Sequence, residues 1–90
     1  MYSIGESISV FNCIDVQEEL LTYVDDCNKQ CQIDATLLTD IDAAGLQLLI
    51  SMKKYCDRKN LSFEMVNLQE QLFTLFTKLS LETMLIKGKS

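Results

Sequence analysis

Two pairs of side chains have the type and spacing to do chemistry. Asp40 and Asp42 stand two apart in the run Thr39-Asp40-Ile41-Asp42-Ala43-Ala44-Gly45, and Cys27 and Cys31 stand four apart. A carboxylate pair can hold a hard cation. A thiol pair can bind a soft metal or cycle through a disulfide. Each pair lacks the company such chemistry needs. The chain contains no His, which excludes Ser-His-Asp and Cys-His arrangements. Three residues between the cysteines give neither the CxxC of redox enzymes nor half of a standard zinc site. Cys13, Cys27, Cys31 and Cys56 are therefore expected as reduced thiols that pack like small hydrophobes. Glycines stand singly at 5, 45 and 88, so no loop can cradle a phosphate. A metal-binding receiver site would need an acidic pair after the first strand, and that strand ends Ser9-Val10-Phe11-Asn12. No enzyme, metal or cofactor is expected. The bland readings are a solvated loop for Asp40 and a helix cap for Asp42.

The frame that positions these residues is small. Ninety residues with 48% hydrophobic content suit one domain, 1–90, with a modest core. The net charge of −5 argues against nucleic acid and anionic lipid as main partners. Residues 1–47 hold nine acids and one base, Lys29, whereas residues 48–90 hold four acids and seven bases. Such an acidic half can steer a basic partner, or it can be ordinary solvated surface. No run reaches the ~18 apolar residues of a membrane span. The start MYSIGESIS lacks a positive region and a continuous apolar stretch. A cytoplasmic protein without direct membrane insertion is expected.

Alternation of Ile8 and Val10 with Ser7 and Ser9 predicts a strand over 2–10. Asp15 and Glu18 resemble a capping box, followed by a helical stripe of Val16, Leu20, Tyr23, Val24 and Cys27. A second strand is predicted over Gln32–Leu38, with Ile33, Ala35 and Leu37 on one side. Asp42 is placed to cap a helix from about Ala44 to Arg58, whose stripe is Leu48, Leu49, Met52, Tyr55 and Cys56, widened by Leu46 and Ile50. Bases crowd its last turns, which suits the helix dipole. Leu61–Asn67 reads as a third strand and Gln69–Lys78 as a third helix, with Thr83–Ile86 a short last strand and Lys87–Ser90 a frayed tail. The order β-α-β-α-β-α-β implies parallel pairs. Because the strands alternate instead of running continuously apolar, helices are expected on one sheet face only. Phe63, Phe73, Phe76 and Tyr23 are expected in the core.

The run Ile-Asp-Ala-Thr-Leu-Leu-Thr-Asp-Ile-Asp-Ala-Ala-Gly-Leu-Gln-Leu-Leu, residues 33–49, resembles the signature of the STAS domain, found in anti-sigma factor antagonists. Asp34 and Asp42 stand eight apart as the family's two aspartates do, and Gly45-Leu46 follow in register. Gly5-Glu6, Asn12–Leu20 and Phe63–Asn67 match other family positions, so the resemblance covers about residues 4–86. It implies an α/β fold with a small mixed or parallel sheet of four to five strands and helices on one face. It also implies a non-enzymatic signalling adaptor that docks on a regulatory protein. The docking residues carried over are Thr39, Asp40, Asp42, Ala43, Ala44, Gly45, Leu46 and Gln47.

Family members typically carry a Ser or Thr directly after the second aspartate. Phosphorylation there adds about −1.5 to −2 charges, which a helix N-terminus tolerates and a fitted partner surface does not. Here that position is Ala43, followed by Ala44, and neither can be phosphorylated. Thr36 and Thr39 are the only nearby hydroxyls. The candidate partners are an anti-sigma-factor kinase, a chemotaxis protein or a transporter ATPase. The wording around Ala43 looks most like small STAS proteins of chemotaxis loci, and the alternative is a structural subunit of a phospholipid transporter. Gly45 fits either a close backbone approach or a simple seat for the first helical turn.

Overall fold

The computed structural model describes residues 1–81, 85 and 86. The elements are β1 (Tyr2–Ser3), β2 (Ser7–Ile8), α1 (Cys13–Asp25), β3 (Gln30–Asp34), β4 (Asp40–Ile41), α2 (Ala43–Arg58), β5 (Ser62–Val66) and α3 (Glu70–Lys78). β1, β3 and β5 form a parallel sheet in that order, and β2 and β4 form a second parallel pair. The expected α/β class with parallel pairing is what the chain adopts.

Alternation along the strands sorts the two sheet faces. Cys31, Ile33, Phe63 and Met65 are buried, beneath Leu20 and Val24 of α1, Leu49, Met52 and Cys56 of α2, and Leu72 and Phe76 of α3. Phe76 is the largest fully buried side chain, and its burial contributes about 1.5–3 kcal/mol. The opposite face is polar. Gln30 and Gln32 both donate to the Glu64 carboxylate from the neighbouring strand, at 2.9 and 3.2 Å. Of the four aromatics expected in the core, Phe63 and Phe76 are buried and Phe73 and Tyr23 pack half-buried against it.

Several expected boundaries move, each for a local reason. The strand expected over 2–10 is two short strands. β3 ends at Asp34, so β1 finds partners only at Ile33 and Asp34, and the chain must pass on to β4 to pair again. The second strand ends at Asp34 and does not run to Leu38. The Asp34 carboxylate takes the Thr36 N–H and hydroxyl at 3.1 and 2.6 Å and bends the chain. Ala35 and Leu38 stay buried while Leu37 turns outward, 54% exposed. α1 starts earlier than the capping-box reading, with Asn12 at the N-cap and Asp15 inside the first turn, where the dipole favours an acid. For the strand expected over Thr83–Ile86, residues 83 and 84 lie outside the described residues. Leu85 is helical, its N–H donating to the Leu81 carbonyl at 2.9 Å. The expected tail, Lys87–Ser90, also lies outside.

Candidate functional site

Asp42 organises the corner between β4 and α2. Its Oδ1 accepts from the Gly45 N–H at 2.9 Å, which caps α2. Its Oδ2 accepts from the Val10 N–H at 3.0 Å, across 32 residues of chain. Its own N–H donates to the Ile8 carbonyl at 3.2 Å. The Gly45 and Val10 N–H groups stabilise the carboxylate and hold its pKa below the usual aspartate range. Each oxygen of Asp42 thus accepts from one backbone N–H. Among the described residues no three His, Cys, Asp or Glu side chains converge.

Gly45 is buried, and the two roles left open above coincide in one contact. A Cβ there would overlap the Ile8 carbonyl oxygen and come within 2.7 Å of Ile41 Cγ1. The first turn of α2 therefore lies against the backbone of β2, and only a residue without a side chain allows it. Ala43 is exposed, Ala44 and Leu46 are half-buried, and Gln47 is exposed. Thr39 and Asp40 are exposed in the same loop, their N–H groups both donating to the Glu6 carbonyl. The two nearby hydroxyls have partners: Thr36 donates to Asp34 at 2.6 Å and Thr39 to the Glu6 carbonyl at 3.3 Å.

The structure adds residues that the pattern reading did not assign to the site. Val10 is 63%, Phe11 95% and Ile14 67% exposed. They sit on the loop that Asp42 ties to α2 and on the first turn of α1. A groove of about 190 Å³ opens beside them between α1 and α2, lined by Cys13, Gln17, Ala44, Gln47, Leu48 and Ser51. The loop is knit by its own polar groups. Asn12 Oδ1 accepts from the Ser9 N–H at 2.8 Å, Asn12 Nδ2 donates to the Ser7 carbonyl at 3.0 Å, and Ser9 Oγ accepts from the Phe11 N–H at 3.2 Å. The sequence signal was present. Ile14 falls off the helical stripe, and Val10-Phe11 forms an apolar doublet between a strand and a helix cap.

The cysteines divide by burial. Cys31 and Cys56 are buried with sulfurs 3.8 Å apart, while Cys13 and Cys27 are half-buried. Burial pushes the Cys31 and Cys56 thiols up, which keeps them protonated.

The corner is thus an Asp-capped helix with a close-packed glycine after a two-strand parallel pair. The family model described as "Mlab, STAS domain" matches residues 3–87. The chain belongs to the STAS domain family. A search of curated proteins finds no match at a significant level. In this STAS domain Asp42 caps α2, Gly45 packs against β2, and an alanine methyl stands in the first helical position.

Proposed function

We propose that this STAS domain is a non-enzymatic docking module that binds one regulatory protein. Its contact surface is Thr39, Asp40, Asp42–Ala44, Leu46 and Gln47, built around the buried Gly45 and extended by Val10, Phe11 and Ile14. The observation that carries the reading is the exposure of those three apolar side chains beside the corner, up to 95% for Phe11. Contiguous exposed apolar surface rimmed by polar groups marks interaction sites, and a bulky aromatic beside a groove is the usual anchor of an interface. With alanine at position 43 the family's acceptor position has no hydroxyl for a phosphoryl switch, and the Thr39 hydroxyl is turned to the Glu6 carbonyl, so docking is constitutive. Anti-sigma-factor kinases and chemotaxis proteins are the partner classes that fit a signalling adaptor.

A second reading, a structural subunit docked on the ATPase of a phospholipid transporter, uses the same surface and is favoured by that lack of a switch. Co-purification from cells separates the two, since a transporter ATPase in the eluate selects the second and an anti-sigma or chemotaxis protein the first. The surface itself is tested with Ala43→Glu. Ala43 is exposed, and an acid in a first helical turn is tolerated, so folding stability stays within about ±0.5 kcal/mol. Binding to the co-purified partner falls sharply. Unchanged binding would move the interface elsewhere. Phosphate incorporation at Thr36 or Thr39 on incubation with candidate kinases would overturn constitutive docking.

A further inference from the structure

The charge polarity of the described residues says what kind of surface this site receives. In a β-α succession of parallel strands, every helix starts where the strands end. Near that end stand Asp15, Asp34 and Asp42, with Glu6 and Asp40 leading into and opening the two-residue strands β2 and β4, Glu18 one turn into α1 and Glu70 at the start of α3. The described bases are elsewhere. Lys29 precedes β3, Lys53, Lys54, Arg58 and Lys59 belong to the second half of α2 and its cap, and Lys78 ends α3. Both described ion pairs, Lys53–Asp57 and Lys59–Asp25, also lie toward the basic end. Among the described residues the acidic end therefore has no compensating side chain. Three helix N-termini supply about half a positive charge each, which leaves the end strongly negative. The exposed apolar side chains of the docking surface sit inside this negative field.

This combination separates the possible occupants. An anionic bilayer is repelled by it, although Phe11 alone would favour an interface. A second copy brought face to face would oppose two acidic ends. A protein surface bearing lysines or arginines around an apolar ridge gains from both features. The groove between α1 and α2 has room for one bulky apolar side chain, beside the exposed Phe11 and Ile14.

We infer that the occupant is a cationic amphipathic helix of the partner protein. Its apolar ridge seats against Phe11, Ile14 and the α1–α2 groove, and its flanking basic side chains face Asp15, Glu18 and Asp40. This rests on the docking reading and specifies the chemistry of what docks.

The probe is a cross-linked helical peptide with leucines at i, i+3, i+4 and i+7 flanked by lysines, and a twin with glutamates in place of the lysines. Each is titrated into the full chain, labelled with ¹⁵N, and amide shifts are followed. The lysine peptide is expected to move Val10, Phe11, Ile14, Ala44 and Gln47. Its affinity should drop about tenfold as salt rises from about 0.01 to about 0.15 M, where the Debye length shrinks from ~30 to ~8 Å. Phe11→Ser, at an exposed position, should abolish the shifts without unfolding the protein. A joint Asp15→Asn, Glu18→Gln and Asp40→Asn variant should bind more weakly and lose the salt dependence.

If the glutamate twin binds the same amides equally well, the cationic partner is wrong and the docking surface stands. If neither peptide moves those amides, the docking surface is wrong as well. Binding of Phe11 to vesicles of phosphatidylglycerol, or a dimer in sedimentation that Phe11→Ser dissolves, would overturn the inference in favour of a membrane or a second copy.

Discussion

Gly45→Ala is the most informative single change in this chain, because two opposing effects can be given magnitudes. A helix interior normally gains from the replacement, by about 1 kcal/mol in propensity. At Gly45 the added methyl would overlap the Ile8 carbonyl oxygen and sit 2.7 Å from Ile41 Cγ1. The carbonyl cannot swing aside freely, since it also accepts the Asp42 N–H. Forcing a methyl into packed surroundings costs about 1–3 kcal/mol, or more where backbone must shift. Overlap with a fixed backbone oxygen belongs at the upper end of that range, so a net loss of about 1–2 kcal/mol is expected. In a domain of this size that lowers the melting temperature by roughly 4–16 °C. Urea unfolding followed by circular dichroism measures it, and an unchanged denaturant slope ties the shift to the native state. Gly5→Ala is the control within the same chain. No atom lies within 4 Å of a Cβ there, so its midpoint should hold or rise slightly. A Gly45→Ala protein as stable as the parent would refute the close approach of α2 to β2.

The remaining predictions concern the cap, the thiols and the sheet. The Asp42 carboxyl is held below its usual range by the Gly45 and Val10 N–H groups, so its contribution is complete above the unfolded value of about 3.9 and fades as pH falls through the lower folded value. Asp42→Asn should accordingly be less stable than the parent at neutral pH, with the gap closing in acid; a gap independent of pH would show that charge is not what the cap supplies. An aromatic disulfide reagent should modify Cys13 and Cys27 in the native protein and reach Cys31 and Cys56 only on unfolding, given their burial and raised thiol pKa. Fast native reaction of all four thiols would contradict the core described for β3 and α2. Along β5, Phe63→Ala should cost about 3–5 kcal/mol, whereas Glu64→Ala on the polar face should cost under about 1 kcal/mol. Equal losses, read from urea midpoints, would mean that both faces of the sheet are packed.

The legible parts of this fold were those governed by period and cap. The stripe Leu48, Leu49, Met52 and Cys56 and the carboxylate cap at Asp42 are both local signals, and both are present in α2. Register was less legible because it depends on partners remote in sequence. Nothing between residues 2 and 10 announces that β3 stops at Asp34, and that stop splits the first strand in two. Asp15 has the residue type of a cap, and Asn12 occupies that place, its side chain already committed to the Ser7–Ser9 loop. The corner at 39–47 could be read as a candidate from its motif. The apolar doublet Val10-Phe11 and the off-stripe Ile14 were visible too, but not that they adjoin this corner, because the hydrogen bond from Val10 to Asp42 spans 32 residues.

The knit of the Ser7–Asn12 loop has a bearing on how fast and how tightly anything can dock. A phenylalanine on a free loop would have to be immobilised by its partner, at about 0.5–1.5 kcal/mol for each side chain ordered and more for the backbone. Here Asn12, Ser9 and Asp42 fix the main chain beneath Phe11 before any encounter. The aromatic ring is offered on a stiff mount, and the backbone part of that entropic cost has already been met during folding. Residues that never touch the partner can then set its residence time. Loosening Asn12 would leave the contact list intact and still shorten the life of the complex.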